Sequence, residues 1–586
     1  MSEKLGIGVD DFRRVREENY YYIDKTLMIK DFLDYSNVVS LITRPRRFGK
    51  TLNMTMLREF FDIEKDSQAI FSGLHIMETK YANQMNTHPV IFLTLKNCSG
   101  TTIEGMLISL AKTIRLQYEH FSNIFASNGI NPENDFLPFY QTHKFFTTLE
   151  DYEKDTPVIF EGNQLKISIL KNSLVELIKT VSVFYNQKVL VIIDEYDQPL
   201  IKAHEMEYRL EFSKGVYGSF LGSALKGNDY LHQAILTGIQ RVAKESIFSE
   251  VNNFMVYTVT SKKYASYFGL TGRETTQILE DYGHSLTTDI KNYYDGYTFD
   301  DVDIYNPWSI LSYADEKELK PYWLNTSTNS LIRELILSAK QSFNYDFEEL
   351  ITYGTVEVTA NMEASFLELA TTSTLWGLLI NSGYLTVVEK IGMNQYEVSI
   401  PNEEVKTEFR TIVELYTKTE ADQLTPLFEA LFTRNMRRFL KLYRKLIMYH
   451  VSYNDATSDA INQLSENSFH MLFLGMSMAT LDLYKVESNR EMGDGRSDIM
   501  MKSLQPSVRP HILIEFKHEE NLKKGASAAL SQIFDNRYYA ELTGNVLCIG
   551  IAHYKKKCEM VHEEIVVNEF GEIKRDNKAK KGGLNE

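Results

Sequence analysis

The sequence predicts an α/β protein of more than one domain: an N-terminal parallel sheet flanked by helices, a mostly helical middle region with a small winged-helix-like part, and a C-terminal α/β domain. Three observations point there. Short apolar, β-branched runs alternate with helical stretches up to about residue 270, the signature of βαβ units. Beyond that point tyrosines and asparagines become frequent and short helices dominate. Near the C-terminus, GRSDIMMK and HILIEFKH read as adjacent strands set between helices. At 586 residues the chain is too long for one ordinary domain. The expected boundaries are 1–270, 271–455 and 456–566, with a polar, lysine-rich tail over 567–586.

Taken in order, residues 11–34 read as helix, a short aromatic strand from Tyr20 to Ile23, and helix again. Val38–Thr43 is a buried strand, followed by a loop containing Gly49 and a helix over Leu52–Phe61. Val90–Leu95 is another strand, and Ile103–Tyr118 carries helical apolar spacing. Residues 124–160 are aromatic and polar with weak periodicity, the pattern of an insertion. Leu165–Tyr185 is helical, Val189–Ile193 is a strongly apolar strand, and Ala234–Thr237 is a short one. In WGLLINSGYLTVVEK a helix passes through Gly383 into a strand, and Tyr396–Ile400 follows as the second strand of a β wing.

Composition narrows the function. Hydrophobic residues make up 43% and charged residues 24%, the balance of a soluble globular protein. The formal net charge is -16. Phosphate neutralisation dominates nucleic-acid affinity, so any contact with DNA or RNA must be local rather than spread over the surface. Three scattered cysteines without a CxxC pair argue against a disulfide framework or a zinc knuckle and for reduced cytoplasm. The N-terminus has no secretory apolar core, and no apolar run approaches the ~18 residues of a membrane span, so no membrane role is expected.

Two motifs carry chemistry. RPRRFGKT (44–51) lies between a buried strand and a helix, where backbone amides and a helix N-terminus bind phosphate. Gly49 permits close approach, Lys50 would reach β- and γ-phosphates, and Thr51 would ligate Mg²⁺. Arg47 and Phe48 complete the loop. Arg44 stands where GxxxxGK[ST] has its first glycine, which reshapes the turn, and Arg46 and Arg47 add charge. Downstream, an apolar strand ends in Asp194 and Glu195 at the sheet's carboxyl edge, where such folds bind ligands. Asp194 would hold Mg²⁺ and Glu195 would polarise the attacking water. Thr237 ends a further strand, where it would sense the γ-phosphate. Arg241 follows, placed either as a charge-stabilising finger or in a structural salt bridge. The ligand implied is ATP with Mg²⁺.

In the C-terminal strands, residues two apart share a face, so Glu515 and Lys517 point one way and Ile514 and Phe516 the other. Asp498, on the preceding strand, meets them in a paired register. Two carboxylates beside a lysine suit Mg²⁺ or Mn²⁺ at a phosphodiester. Gln532, on the helix after the ExK strand, would complete the site, with Glu491 and Glu466 as further acids. His470, four residues after Glu466 on a helix, reads more readily as a packing residue. The alternative is an edge hairpin with solvated charges.

The segments NYYYIDKT (19–26), SLITRPRRFGKT, VIIDEYDQP, LTGIQRVAKESIF, YDGY (294–297), YNPWS (305–309) and LLINSGYLT (378–386) resemble the AAA-ATPase-like family of P-loop proteins. Residues 460–560 are similar to the PD-(D/E)XK nuclease superfamily domain that such proteins often carry. The resemblance implies a P-loop NTPase sheet followed by a nuclease-like domain. In that family the arginine-for-glycine exchange at the phosphate loop is usual. The implied function is an ATP-binding, metal-dependent nuclease acting on DNA or RNA under nucleotide control. A nucleotide switch or scaffold that binds without cutting is the alternative. A homo-oligomer is left open.

Overall fold

The computed structural model describes residues 4–152, 164–241, 254–323, 354–363, 371–407, 421–453, 483–492, 495–554 and 557–575, with isolated positions between 343 and 350, at 409, and between 469 and 480. Contacts divide the chain into two units. The first comprises Met1–Leu335, Ala339–Phe343 and Glu357–Val405; the second comprises Ile336–Ser338, Asn344–Val356 and Lys406–Glu586.

In the first unit β1 (Val39–Thr43), β2 (Val90–Thr94), β3 (Val189–Asp194), β4 (Leu231–Gly238) and β5 (Phe254–Tyr257) form one sheet in the order β2-β3-β4-β1-β5. Every pairing in it is parallel. β1 and β3 are buried throughout, as expected of strands with helices on both faces. The helices Ile103–Ser127, Gln164–Tyr185 and Gly218–Leu225 share one core with Leu41, Leu93, Val191 and Leu236.

Two readings change here. The aromatic stretch Tyr20–Ile23 is not a strand: Tyr20 makes a single bridge to Lys4, and Tyr22 packs edge-on against Phe12. Side-chain packing holds that segment extended, without a ladder. The presumed insertion at 124–160 contains the helix Leu137–Tyr152. Its Phe139 and Phe146 join the core against Tyr118, and the sevenfold aromatic spacing is a helix face that polar neighbours obscure.

The region after 270 adds two small sheets to the expected helices. β6 (Leu270–Thr271), β7 (Tyr297–Phe299) and β8 (Val302–Tyr305) are ordered β6-β8-β7. β9 (Thr355–Thr359), β10 (Thr386–Gly392) and β11 (Gln395–Ser399) are ordered β10-β11-β9. Gly383 ends the helix Thr372–Ser382 in a left-handed conformation, φ 86°, as the sequence implied for the turn into the wing.

In the second unit β12 (Tyr484–Met492), β13 (Gly495–Ser503), β14 (His511–His518), β15 (Gly544–Tyr554), β16 (Lys557–Val567) and β17 (Ile573–Arg575) form a mixed sheet in sequential order. β14 runs antiparallel to β13 and parallel to β15, with the helix Leu522–Asp535 as the crossover. One face packs Ile512, Ile514 and Phe516 under the helices Ala421–Phe432 and Met436–Tyr453. The other packs Leu513 and Cys548 with Ile533 of the crossover helix. No helix among the described residues is long and apolar enough to cross a membrane.

Candidate functional site

The loop from Arg44 to Gly49 leaves β1 and enters the helix Lys50–Phe61. Gly49 is the helix N-cap, at φ 80° and with no side-chain cap, so the first helical amides are left to an external acceptor. Arg47, at φ 68°, takes a left-handed conformation that costs a non-glycine residue free energy, a kind of strain found where loops bind ligands. Arg44 turns inward. It is fully buried, donates to the carbonyls of Thr43 at 2.8 Å and Tyr257 at 3.1 Å, and lies against the rings of Phe268 and Phe299. Burial lowers its pKa to about 9, which still leaves the guanidinium charged at neutral pH.

Lys50 is buried and donates to the carbonyls of Arg44 (3.0 Å) and Pro45 (2.8 Å). Desolvation lowers its pKa, and the nearby Glu195, Asp197 and Asp194 oppose that. Asp194 is fully buried and accepts from the hydroxyls of Thr51 (2.8 Å) and Thr237 (2.7 Å), so three of the expected residues form one hydrogen-bonded chain. Glu195 is half-buried at φ 54°, and burial raises its pKa against the pull of Lys50.

Lys50, Thr51 and Glu195 open on a cavity of about 400 Å³, which Asp194 does not line. It is lined by Arg46, Arg47, Gly49, Lys50, Thr51 and Glu195 and also by Ile7, Val9, Tyr21, Tyr22 and Trp308. The lining thus offers amides and cations together with aromatic and aliphatic surface. Thr237 touches the site through Asp194 and does not line the cavity. Arg241 does not line it either: its guanidinium pairs with Glu363, the salt bridge that the sequence left open. The Phe48 side chain packs against Tyr297 and Phe299 and is fully buried, so Phe48 can offer a ligand only its backbone.

Sequence reasoning assigned no role to the residues that clamp the loop. Arg47 stacks on Trp308 at 4.1 Å, and the Trp323 indole donates to the Arg46 carbonyl at 3.1 Å. A Cβ on Gly383 would meet Pro45 at 2.9 Å. Asp197 accepts from the amides of Ile239 and Gln240, which fixes the loop after β4. The signal was present, because YNPWS, DEYDQP and LLINSGYLT contain Trp308, Asp197 and Gly383.

Glu404 ties this clamp together. It is 1% exposed and accepts from the Trp323 amide (2.7 Å) and the Ser309 hydroxyl (2.8 Å). Burial raises its pKa to about 7 and outweighs those donors. The unfolded chain ionises first, so this residue's contribution to stability falls as pH rises from the ordinary carboxylate range to about 7. Glu404→Gln should remove that slope. Thermal unfolding followed at pH 5 and pH 8 should show wild type losing more stability than the variant, by a few kcal/mol. Parallel loss in both proteins would refute the assignment.

In the second unit, the carboxylates of Asp498 on β13 and Glu515 on β14 each accept a backbone amide of the neighbouring strand. The Asp498 amide donates to Glu515 Oε2 at 3.2 Å, and the Phe516 amide donates to Asp498 Oδ2 at 2.7 Å. Gln532 donates to Glu515 Oε1, and Lys517 Nζ lies 3.6 Å from the same oxygen. Asp498, Glu515, Lys517 and Gln532 therefore come together as the strand alternation implied. Tyr538, which sequence reasoning did not single out, lies 3.2 Å from Gln532 Nε2 and fixes the amide from behind. Glu466 and His470 lie outside the described residues, as does the side chain of Glu491, whose backbone pairs with Arg496 in β12–β13. Among the described residues no group of three or more His, Cys, Asp or Glu converges. Two carboxylates of hard oxygen still fit a Mg²⁺ or Mn²⁺ that keeps water ligands.

Residues 6–248 match the family model described as Predicted AAA-ATPase, and residues 464–563 match that of the PD-(D/E)XK nuclease superfamily. An uncharacterised protein encoded in the vnfD 5′ region of Azotobacter chroococcum mcd 1 is 25% identical over 414 residues, covering 69% of this chain and 68% of its own length. The parallel sheet with its GKT loop and the mixed sheet with its D…ExK carboxylates agree with those matches: the chain joins an AAA-ATPase-like domain to a PD-(D/E)XK nuclease superfamily domain.

Proposed function

We propose that the first unit binds ATP with Mg²⁺ (or Mn²⁺) and that the second hydrolyses phosphodiester bonds of DNA or RNA under nucleotide control, in the cytoplasm. The observation that carries the reading is the convergence of Asp498, Glu515, Lys517 and Gln532 at the adjoining ends of β13 and β14. In the first unit the aromatic lining of the cavity suits a base, and the amides and cations of the loop suit phosphates. Lys50 leaves the loop carbonyls for the β- and γ-phosphates, Thr51 and Asp194 hold the ion, and Glu195 orients the attacking water. Arg241 would act only once its pair with Glu363 opened. In the second unit Asp498 and Glu515 hold an ion that supplies charge neutralisation at the scissile phosphate. Lys517 steadies the developing charge, and Gln532 keeps the Glu515 carboxylate oriented.

Plasmid, single-stranded DNA and RNA incubated with Mg²⁺ or Mn²⁺, with and without ATP, test the proposal. Cutting that Asp498→Ala and Lys517→Ala both lose supports it, and equal cutting with and without ATP removes the nucleotide control. Phosphate release by wild type and Glu195→Gln tests ATP hydrolysis. A switch or scaffold that binds without cutting is the second reading. It is favoured by the charge of -16 and by a Glu515 carboxylate already engaged by Gln532, Lys517 and the Asp498 amide.

A further inference from the structure

We propose that the exposed face of the helix Met436–Tyr453 is a cationic ridge that holds the phosphate backbone of a nucleic acid on the second unit. The inference rests on the reading that this unit works on nucleic acid, and it assigns the local contact surface that an acidic protein requires.

Arg434, Arg437, Arg438, Lys441, Arg444 and Lys445 are all exposed, and the sequence from 434 to 453 contains no Asp or Glu. So dense a block of one sign stands out in a chain of net charge -16. Arg434 stands just before the helix; within it Arg437, Lys441 and Lys445 are four apart and Arg438, Lys441 and Arg444 three apart, which lines the charges along one side. From Arg437 to Lys445 the rise is about 12 Å, enough to face about three successive phosphates of one strand. The opposite side is anchored: Phe439, Leu440, Tyr443 and Ile447 are buried in the core with Ile514 and Phe516 of β14.

The helix also ends up at the right end of the sheet. The Tyr443 hydroxyl bonds the His553 ring at 3.0 Å, and Arg444 donates to the Cys558 carbonyl and pairs with Glu559. Glu559 pairs with Ala552, and Ala552 with Lys517, along the β16–β15–β14 register. Arg444 therefore reaches β16 at the register of Lys517, two strands away at the same end of the sheet, with the Lys517 side chain on the other face. Arg434, Arg438 and Arg444 already face Glu564, Glu429 and Glu559. Among the described residues Arg437, Lys441 and Lys445 have no carboxylate partner, so they are free to displace counterions from a phosphate backbone. A nucleic acid is favoured over an acidic protein because the same sheet end carries Asp498, Glu515 and Lys517.

The test is anisotropy of labelled single-stranded DNA, duplex DNA and RNA with the full chain, with Ca²⁺ replacing Mg²⁺, over a series of KCl concentrations. The comparison is the combined variant Arg437→Ala, Lys441→Ala, Lys445→Ala, with Arg437→Lys as a charge-keeping control. The triple variant should bind about tenfold or more weakly, and its slope of log affinity against log salt should be shallower by about two to three. Arg437→Lys should keep the wild-type slope, and all variants should melt like wild type. Wild-type affinity and slope in the triple variant would overturn the ridge. So would a wild type that binds polyglutamate or anionic vesicles and no nucleic acid. Binding without cleavage would leave the ridge standing and remove the nuclease reading. Cleavage and binding unchanged in the triple variant would remove the ridge alone.

Discussion

Replacing Asp498 by asparagine should reduce metal-dependent cleavage by roughly 10²–10³-fold or to background while leaving the domain folded. Asp498 has two tasks in the free protein. One oxygen accepts the Phe516 amide at 2.7 Å, which ties β13 to β14; its charge is what a divalent ion would need. An asparagine oxygen can still accept that amide, so the strand pairing survives while the charge is lost. Asp498→Ala removes both, so it should also destabilise the unit, by about 1–3 kcal/mol for the buried amide left unpaired. Cleavage assays with each variant, alongside melting curves, separate the two effects. Full activity in Asp498→Asn would show that the chemistry lies elsewhere.

The second large effect is expected at Lys50. In the free protein its ammonium is satisfied by two loop carbonyls and is partly stripped of water. A triphosphate offers it a full negative charge instead of two carbonyl dipoles, and a buried charge pair is worth about 2–5 kcal/mol on truncation. Lys50→Ala should therefore weaken ATP binding by ~100-fold or more, measured by calorimetry. Under nucleotide control it should also change the ATP response of cleavage, although Lys50 belongs to the other unit. Unchanged ATP affinity would remove the phosphate-loop assignment.

What could be read in advance follows from how local each signal is. The buried strands β1 and β3 are continuous apolar runs, and the GKT loop and the Asp194 terminus sit beside them in sequence. The Thr51–Asp194–Thr237 chain was therefore legible from three short stretches and the rule that parallel strands present their carboxyl ends together. Glu515 and Lys517 were legible because a strand alternates. Arg241 was not, since its partner Glu363 lies far along the chain and no periodicity links them. Trp323 was hidden for the same reason, whereas Trp308 stood in YNPWS without anything local to tie it to Arg47. Tyr20–Ile23 misled because aromatic residues favour strands, yet here they pack against Phe12 and Tyr282 without a neighbouring ladder.

The inward turn of Arg44 changes what sequence divergence at this loop means. Its guanidinium occupies volume between Phe268 and Phe299, and its carbonyl contacts belong to β1 and β5. An engineer who restored the missing glycine would hollow out the interior behind the loop rather than improve its grip on phosphate. Such a graft would need a bulky replacement from a neighbouring strand, so the arginine counts as structural filling that happens to carry charge.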